Sequence, residues 1–145
     1  MNRLRVLFIC IHNSARSQMA EAFFNQQSGD KYESESAGLE AGNLNPLVVE
    51  AMKEIGFDIS QNKTKEVFDF LKQGKHFDYV VTVCDKASAE KCPYFPSQKE
   101  KANWSFPDPS RFEGTHDEKL AQIRIVRDAI QKKVIEFINT LNTRF

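Results

Sequence analysis

Leu4-Arg5-Val6-Leu7-Phe8-Ile9-Cys10 runs without a break into Ile11-His12-Asn13-Ser14-Ala15-Arg16-Ser17, and this stretch decides the fold. The first part is short and nearly continuously apolar, which is how a strand buried on both faces reads. The second part is a polar loop. A helical pattern follows, with Met19, Ala20, Phe23 and Phe24 recurring at three- and four-residue spacing opposite Gln18, Glu21, Asn25 and Gln26. Ser28-Gly29-Asp30 ends that helix. A buried strand turning through a polar loop into an amphipathic helix is the opening of a βαβ unit.

The rest of the chain continues the alternation. Tyr32 to Ala37, closed by Gly38, reads as a weaker strand at or near a sheet edge. Asn45-Pro46 opens a second helix, with Asn as cap and Pro at its first position. Its apolar stripe is Leu47, Val48, Ala51, Met52 and Ile55, and Gly56 ends it. Thr64 to Leu71 is expected to be a shorter helix, and Tyr79 to Cys84 is the strongest strand signal in the chain. Asp85 to Pro96 reads as loop and Ala102 to Phe106 as a last short strand. Thr115 is placed to cap a final helix from Asp117 to about Leu141. The pattern implies an α/β domain with a mostly parallel sheet covered by helices on both faces.

The size and composition bound the function. A chain of 145 residues is one domain's worth, expected here to span 1–145, and it buries a core without a metal or disulfide staple. Apolar residues make up 41% and charged residues 28%, with twenty basic balancing twenty acidic side chains. That balance argues against a nucleic-acid binder and against a polybasic membrane-surface protein. No apolar run approaches the length of a membrane span, and the run at 6–10 is too short for a signal peptide. A cytoplasmic monomer is expected, with its cysteines reduced at rest. There are three cysteines, an odd count that excludes a fully paired structural framework.

In folds of this class ligands bind beyond the carboxyl ends of the strands. Cys10 and Cys84 both end predicted strands, and Asp108 lies just past another, so all three fall on one rim. A bare Cys-x5-Arg pair is a weak signal, and Cys10 alone would read as a small apolar residue filling a strand end. The context makes it chemical. A strand–loop–helix turn directs successive backbone N–H groups inward, and the helix N-terminus adds positive partial charge. Residues 11 to 16 thus form a cradle for a tetrahedral oxyanion, to which Arg16 adds a planar guanidinium fork. The same field favours a thiolate at Cys10, and Ser17 is placed to donate a hydrogen bond to its sulfur. His12 and Asn13 read as loop formers. Asp108-Pro109 is equally consistent with an ordinary turn. Cys84 and Cys92 lack the short spacing of a zinc site, and the three His make no matching pair.

This loop resembles the phosphate-binding loop of the low-molecular-weight protein tyrosine phosphatase fold. The continuation Arg16-Ser17-Gln18-Met19-Ala20-Glu21 is closer to the arsenate reductases built on that fold. So are Ser36-Ala37-Gly38, Leu44-Asn45-Pro46, Met52-Lys53-Glu54-Ile55-Gly56, Asp58-Ile59-Ser60, Val80 to Cys84, Cys92-Pro93 and Trp104 to Pro109. The resemblance runs from residue 4 to about residue 138. It implies a sheet of about four parallel strands between helical layers, with Asp108 as the general acid that protonates the departing oxygen. Phosphatases of the fold usually carry an aromatic pair after Asp-Pro, whereas Ser110-Arg111 stand here, which counts against a phosphotyrosine substrate.

In the reductases the first cysteine attacks arsenate, a second resolves the adduct and releases arsenite, and a third moves the disulfide to where thioredoxin reduces it. The resemblance assigns these roles to Cys10, Cys84 and Cys92. Seven residues separate Cys84 from Cys92, one more than is usual in the thioredoxin-coupled branch. Glutaredoxin or a small thiol as reductant would leave Cys92 idle. No tightly bound cofactor is implied. Some relatives bind potassium behind the loop, and Asn13, Glu21 and Ser36 match that pattern, but Lys65 stands where an acidic ligand is usual. The rival readings are a low-molecular-weight phosphatase acting on phosphotyrosine or a small phosphate ester, and a non-catalytic oxyanion or redox sensor.

Overall fold

A computed structural model of the chain describes residues 3–84 and 95–144. Four strands, β1 (Leu4–Cys10), β2 (Tyr32–Gly38), β3 (Tyr79–Thr82) and β4 (Glu100–Asn103), form one sheet in the order β2-β1-β3-β4. Every pairing is parallel, with Phe8 opposite Ser36 on one side and opposite Val81 on the other. The helices are α1 (Arg16–Ser28), α2 (Pro46–Lys53), α3 (Val67–Lys72) and α4 (His116–Arg144).

Strand alternation divides the core in two. Val6, Phe8 and Cys10 face a large cluster with Met19, Phe23 and Phe24 of α1, Met52 of α2 and Ile123, Ile130 and Val134 of α4. Leu7 and Ile9 face a smaller one with Val67, Phe70, Phe77 and Phe95. Helices α1, α2 and α4 therefore cover one face and α3 the other. Both faces of β1 are buried, which is why its sequence shows no alternation. No helix among the described residues is long and apolar enough to cross a membrane.

The expected capping chemistry is present. The Asn45 side-chain Oδ1 accepts from the N–H groups of Leu47 and Val48 at 3.0 and 3.3 Å. Thr115 and Glu118 form a reciprocal capping box at the start of α4, with bonds of 3.2 and 3.3 Å. Three local expectations are corrected. Helix α3 begins at Val67 rather than Thr64, because residues 64–66 bond to the neighbouring loops instead. The Thr64 hydroxyl donates to Gly42 O at 2.6 Å, Lys65 N–H donates to Asn13 Oδ1 at 2.9 Å, and Glu66 bridges to Gly38. The last strand covers Glu100–Asn103 rather than Ala102 to Phe106, and Trp104 beyond it is pulled into the core against Phe8 and Phe137. Gln18, expected on the solvated face of α1, is fully buried. Most of the segment expected to be loop between Asp85 and Pro96 lies outside the described residues.

Candidate active site

The carboxyl ends of β1 and β3 lie side by side at the centre of the sheet, and Val83 N–H still donates to Ile9 O at 2.8 Å just beyond the paired region. Cys10 ends β1 and Cys84 lies two residues past the end of β3, beyond the same end of the sheet, and both are buried. The loop from 11 to 15 folds back over Cys10 because its carbonyls are drawn outward. Ile11 O accepts from Glu40 N–H, His12 O from Gly42 N–H and Ser14 O from Asn45 N–H, at 3.0, 3.0 and 2.9 Å. In a trans peptide the N–H points opposite to the carbonyl, so the following N–H groups turn inward. Asn13 N–H shows the result directly, donating to Cys10 Sγ at 3.2 Å.

Two backbone features permit this curl. Asn13 sits at φ 54°, in the left-handed region that Asn tolerates better than most residues. Gly38, at the end of β2, lies directly against the loop: a Cβ there would be 2.6 Å from Asn13 N and 2.7 Å from Ile11 O. The start of α1 has no side-chain cap and no acidic residue in its first turn. Its leading N–H groups and the dipole therefore suit an anion.

The polar side chains converge on the same place. Ser17 Oγ lies 2.8 Å from Cys10 Sγ and accepts from Asn13 Nδ2 at 2.8 Å. Arg16 is almost fully buried and donates from Nη1 to Phe106 O at 3.0 Å, while Nη2 stands 3.8 Å from Asp108 Oδ2. Asp108 Oδ1 is held by Ser110 N–H and hydroxyl at 3.0 and 2.9 Å. That leaves Oδ2 as the oxygen facing the cradle. Ile11, Ser14 and Ala15 contribute backbone to the loop, and His12 is exposed, 4.0 Å from Glu40. Cys10 is a free thiol. Cys84 is disulfide-bonded, and Cys92 lies outside the described residues. Sequence reasoning missed Gln18, Gly38 and Ser110. Gly38 carried a signal, since a glycine closing a strand marks close backbone approach. Gln18 carried none.

Behind the loop the geometry does not fit a potassium ion. Asn13 Oδ1 already accepts from Gln18 Nε2 at 3.0 Å and Lys65 N–H at 2.9 Å. The Glu21 carboxylate is met by Lys65 Nζ at 3.5 Å. Burial pushes the Glu21 carboxyl up from its ordinary 4.5, and the Lys65 ammonium, with the neighbouring Ser36 hydroxyl, pulls it part of the way back. The Ser36 hydroxyl is buried and, beside Glu21, has no hydrogen bond of full geometry. A fixed ammonium thus occupies the electrostatic role of a cation there.

The strand order and the loop curled over Cys10 agree with one family: the chain belongs to the low molecular weight phosphotyrosine protein phosphatase family, whose model matches residues 5–144. Within that family the chain is similar to an arsenate reductase of Halalkalibacterium halodurans, 46% identical over 140 residues that cover 97% of this chain and 99% of that one. Among solved structures it is similar to an arsenate reductase in the phosphate-binding state, with a TM-score of 0.76, 27% identity and coverage of 94% and 98% of the two chains. It is also similar to a thioredoxin-dependent arsenate reductase of Corynebacterium glutamicum, with a TM-score of 0.71 and 27% identity, covering 100% of this chain and 64% of that one.

Proposed function

We propose that the protein reduces arsenate to arsenite with thioredoxin as the electron donor. The observation that carries this reading is the pairing of a complete anion cradle over Cys10 with a second buried cysteine, Cys84, just past the end of the adjacent strand. A phosphatase needs only the first.

The chemistry follows from the atoms. Cys10 Sγ, accepting hydrogen bonds from Ser17 and Asn13, attacks arsenic while Arg16 and the loop N–H groups hold the remaining oxygens. Asp108 Oδ2 protonates the oxygen that leaves as water. Cys84 then attacks Cys10 Sγ. A Cys10–Cys84 disulfide forms, the sulfur–arsenic bond breaks, and its electron pair stays on arsenic, which departs as arsenite. Cys92 attacks Cys84, freeing Cys10 as a thiolate and moving the disulfide outward. Thioredoxin supplies two electrons to reduce it. The reading takes the chain as one domain, 1–145, acting as a monomer in the cytoplasm with no resident potassium.

The cradle and acid would equally serve hydrolysis of a phosphate monoester, which is the second reading. Turnover of arsenate with thioredoxin, its reductase and NADPH tests the choice. Cys84→Ser should release no arsenite, and Cys92→Ser should complete about one turnover and then stop. Sustained turnover by Cys92→Ser would remove the relay, and phosphate-ester hydrolysis with no arsenate reduction would establish the second reading.

A further inference from the structure

A buried chain of amides runs from the segment 62–65 to Cys10, and its polarity is set at the far end. Lys63 O can only accept a hydrogen bond, so the Gln18 atom 3.1 Å from it is the Nε2 amide nitrogen. Lys65 N–H can only donate, so the Asn13 atom 2.9 Å from it is the carbonyl Oδ1. These two backbone groups fix the orientation of both amides without appeal to any side chain that could rotate. Gln18 Nε2 spends its second proton on the same Asn13 Oδ1 at 3.0 Å, and Gln18 Oε1 accepts from Asn62 Nδ2 at 3.1 Å. Asn13 Nδ2 is thereby turned to Ser17 Oγ at 2.8 Å. Ser17 Oγ lies 2.8 Å from Cys10 Sγ, and toward a thiolate its hydroxyl is the donor. The sulfur ends as the acceptor of two donors, the arrangement that suits a thiolate.

We infer that Gln18 is a positioning residue for the nucleophile: together with Lys65 N–H it holds Asn13 Oδ1 in place, which keeps Asn13 Nδ2 on Ser17 Oγ beside Cys10. Gln18 touches neither sulfur nor anion and acts through Asn13. Its complete burial inside a helix that is otherwise packed by Met19, Phe23 and Phe24 follows from this work, since a buried amide with no fixed partners would be costly. The inference rests on Cys10 being the nucleophile but not on arsenate being its substrate.

The test is the rate of Cys10 alkylation by iodoacetamide at neutral pH in the fully reduced chain, read by mass spectrometry on the peptide carrying Cys10. It needs no arsenate, so a protein that fails as a reductase still answers. Gln18→Met keeps the size and removes the donors. It should alkylate about threefold to tenfold more slowly, the scale of one lost hydrogen bond, while far-UV circular dichroism stays that of the folded chain. Asn62→Ala frees only the distal Gln18 oxygen and should slow the reaction about twofold. A wild-type rate in folded Gln18→Met overturns the inference. Should Gln18→Met fail to fold, Asn62→Ala decides: a slowed rate upholds it and an unchanged rate overturns it.

Discussion

Cys10 ends a seven-residue strand with hydrogen-bonded neighbours on both sides, whereas Asp108 follows a four-residue strand at the edge of the sheet whose Glu100, Lys101 and Ala102 are all exposed. The loop after Cys10 is tied by backbone bonds to residues 40, 42 and 45 and by Asn13 to residue 65, and Gln18 in the first turn of α1 adds bonds to 62 and 63. Asp108 is held by its own turn through Ser110, with Arg16 beside it. The geometry of the proposed nucleophile is therefore determined many times over and that of the proposed acid only once or twice. This matches the chemistry. A cradle that must place three oxygens at once tolerates little displacement, while a proton donor needs reach to one atom.

The contrast breaks most sharply at Gly38. Gly38→Ala puts a methyl within 2.8 Å of three backbone atoms of the loop, and backbone cannot swing aside as a side chain can. The loop must shift. Arsenate turnover should fall by about a hundredfold or more, and urea unfolding should show a loss of about 1–3 kcal/mol. Turnover within a factor of two of wild type would show that the cradle is looser than its hydrogen bonds imply.

Asp108→Asn is the counterpart on the other side. It keeps the shape, removes the proton, and should slow single-turnover formation of the Cys10 adduct by about a hundredfold. Stability should stay within about 0.5 kcal/mol, because the Asn carbonyl oxygen still accepts the two Ser110 bonds that hold the turn. Equal losses of rate and stability would erase the distinction drawn between the two ends.

The same contrast governs how much could be read in advance. β1, the start of α1, the Asn45 cap and the Thr115 cap were legible because local rules fix them: a continuous apolar run, a cap residue, a helical stripe. The strand–loop–helix turn that carries Cys10, Arg16 and Ser17 was legible for the same reason, being contiguous. The start of α3 was not, because Thr64, Lys65 and Glu66 have fair helical character and are diverted by bonds to residues 13, 38 and 42, far away in sequence. Gln18 was misplaced on the same account. A polar side chain reads as solvated unless its buried partners are known, and all of those outside its own loop lie 44 or 45 residues on. β4 was shifted because an exposed edge strand of Glu100, Lys101, Ala102 and Asn103 carries no apolar pattern, while Trp104 and Phe106 beyond it mimic one.

The smallest effect expected is at Lys65, and its pH dependence separates the ammonium from the backbone. Burial raises the Glu21 carboxyl above 4.5 and Lys65 opposes that rise. A carboxyl whose folded pKa is raised binds its proton more tightly in the folded chain, so it lowers stability progressively as pH climbs from 4.5 through the folded pKa. Lys65→Met removes the opposing charge, raises the folded pKa further and carries that loss to higher pH. The variant should therefore match wild type below about pH 4.5, where Glu21 is protonated with or without Lys65. It should fall behind through the window above, and settle at a constant deficit of about 1 kcal/mol near neutrality. That figure is modest because the Lys65 side chain is 32% exposed and part of its charge is met by water. The Lys65 N–H bond to Asn13 survives the substitution, so alkylation of Cys10 should change little. Urea unfolding at a series of pH values reads the difference. A deficit of the same size at pH 4 and pH 7 would show that Lys65 matters through packing, and that the charge on Glu21 is met by something other than its ammonium.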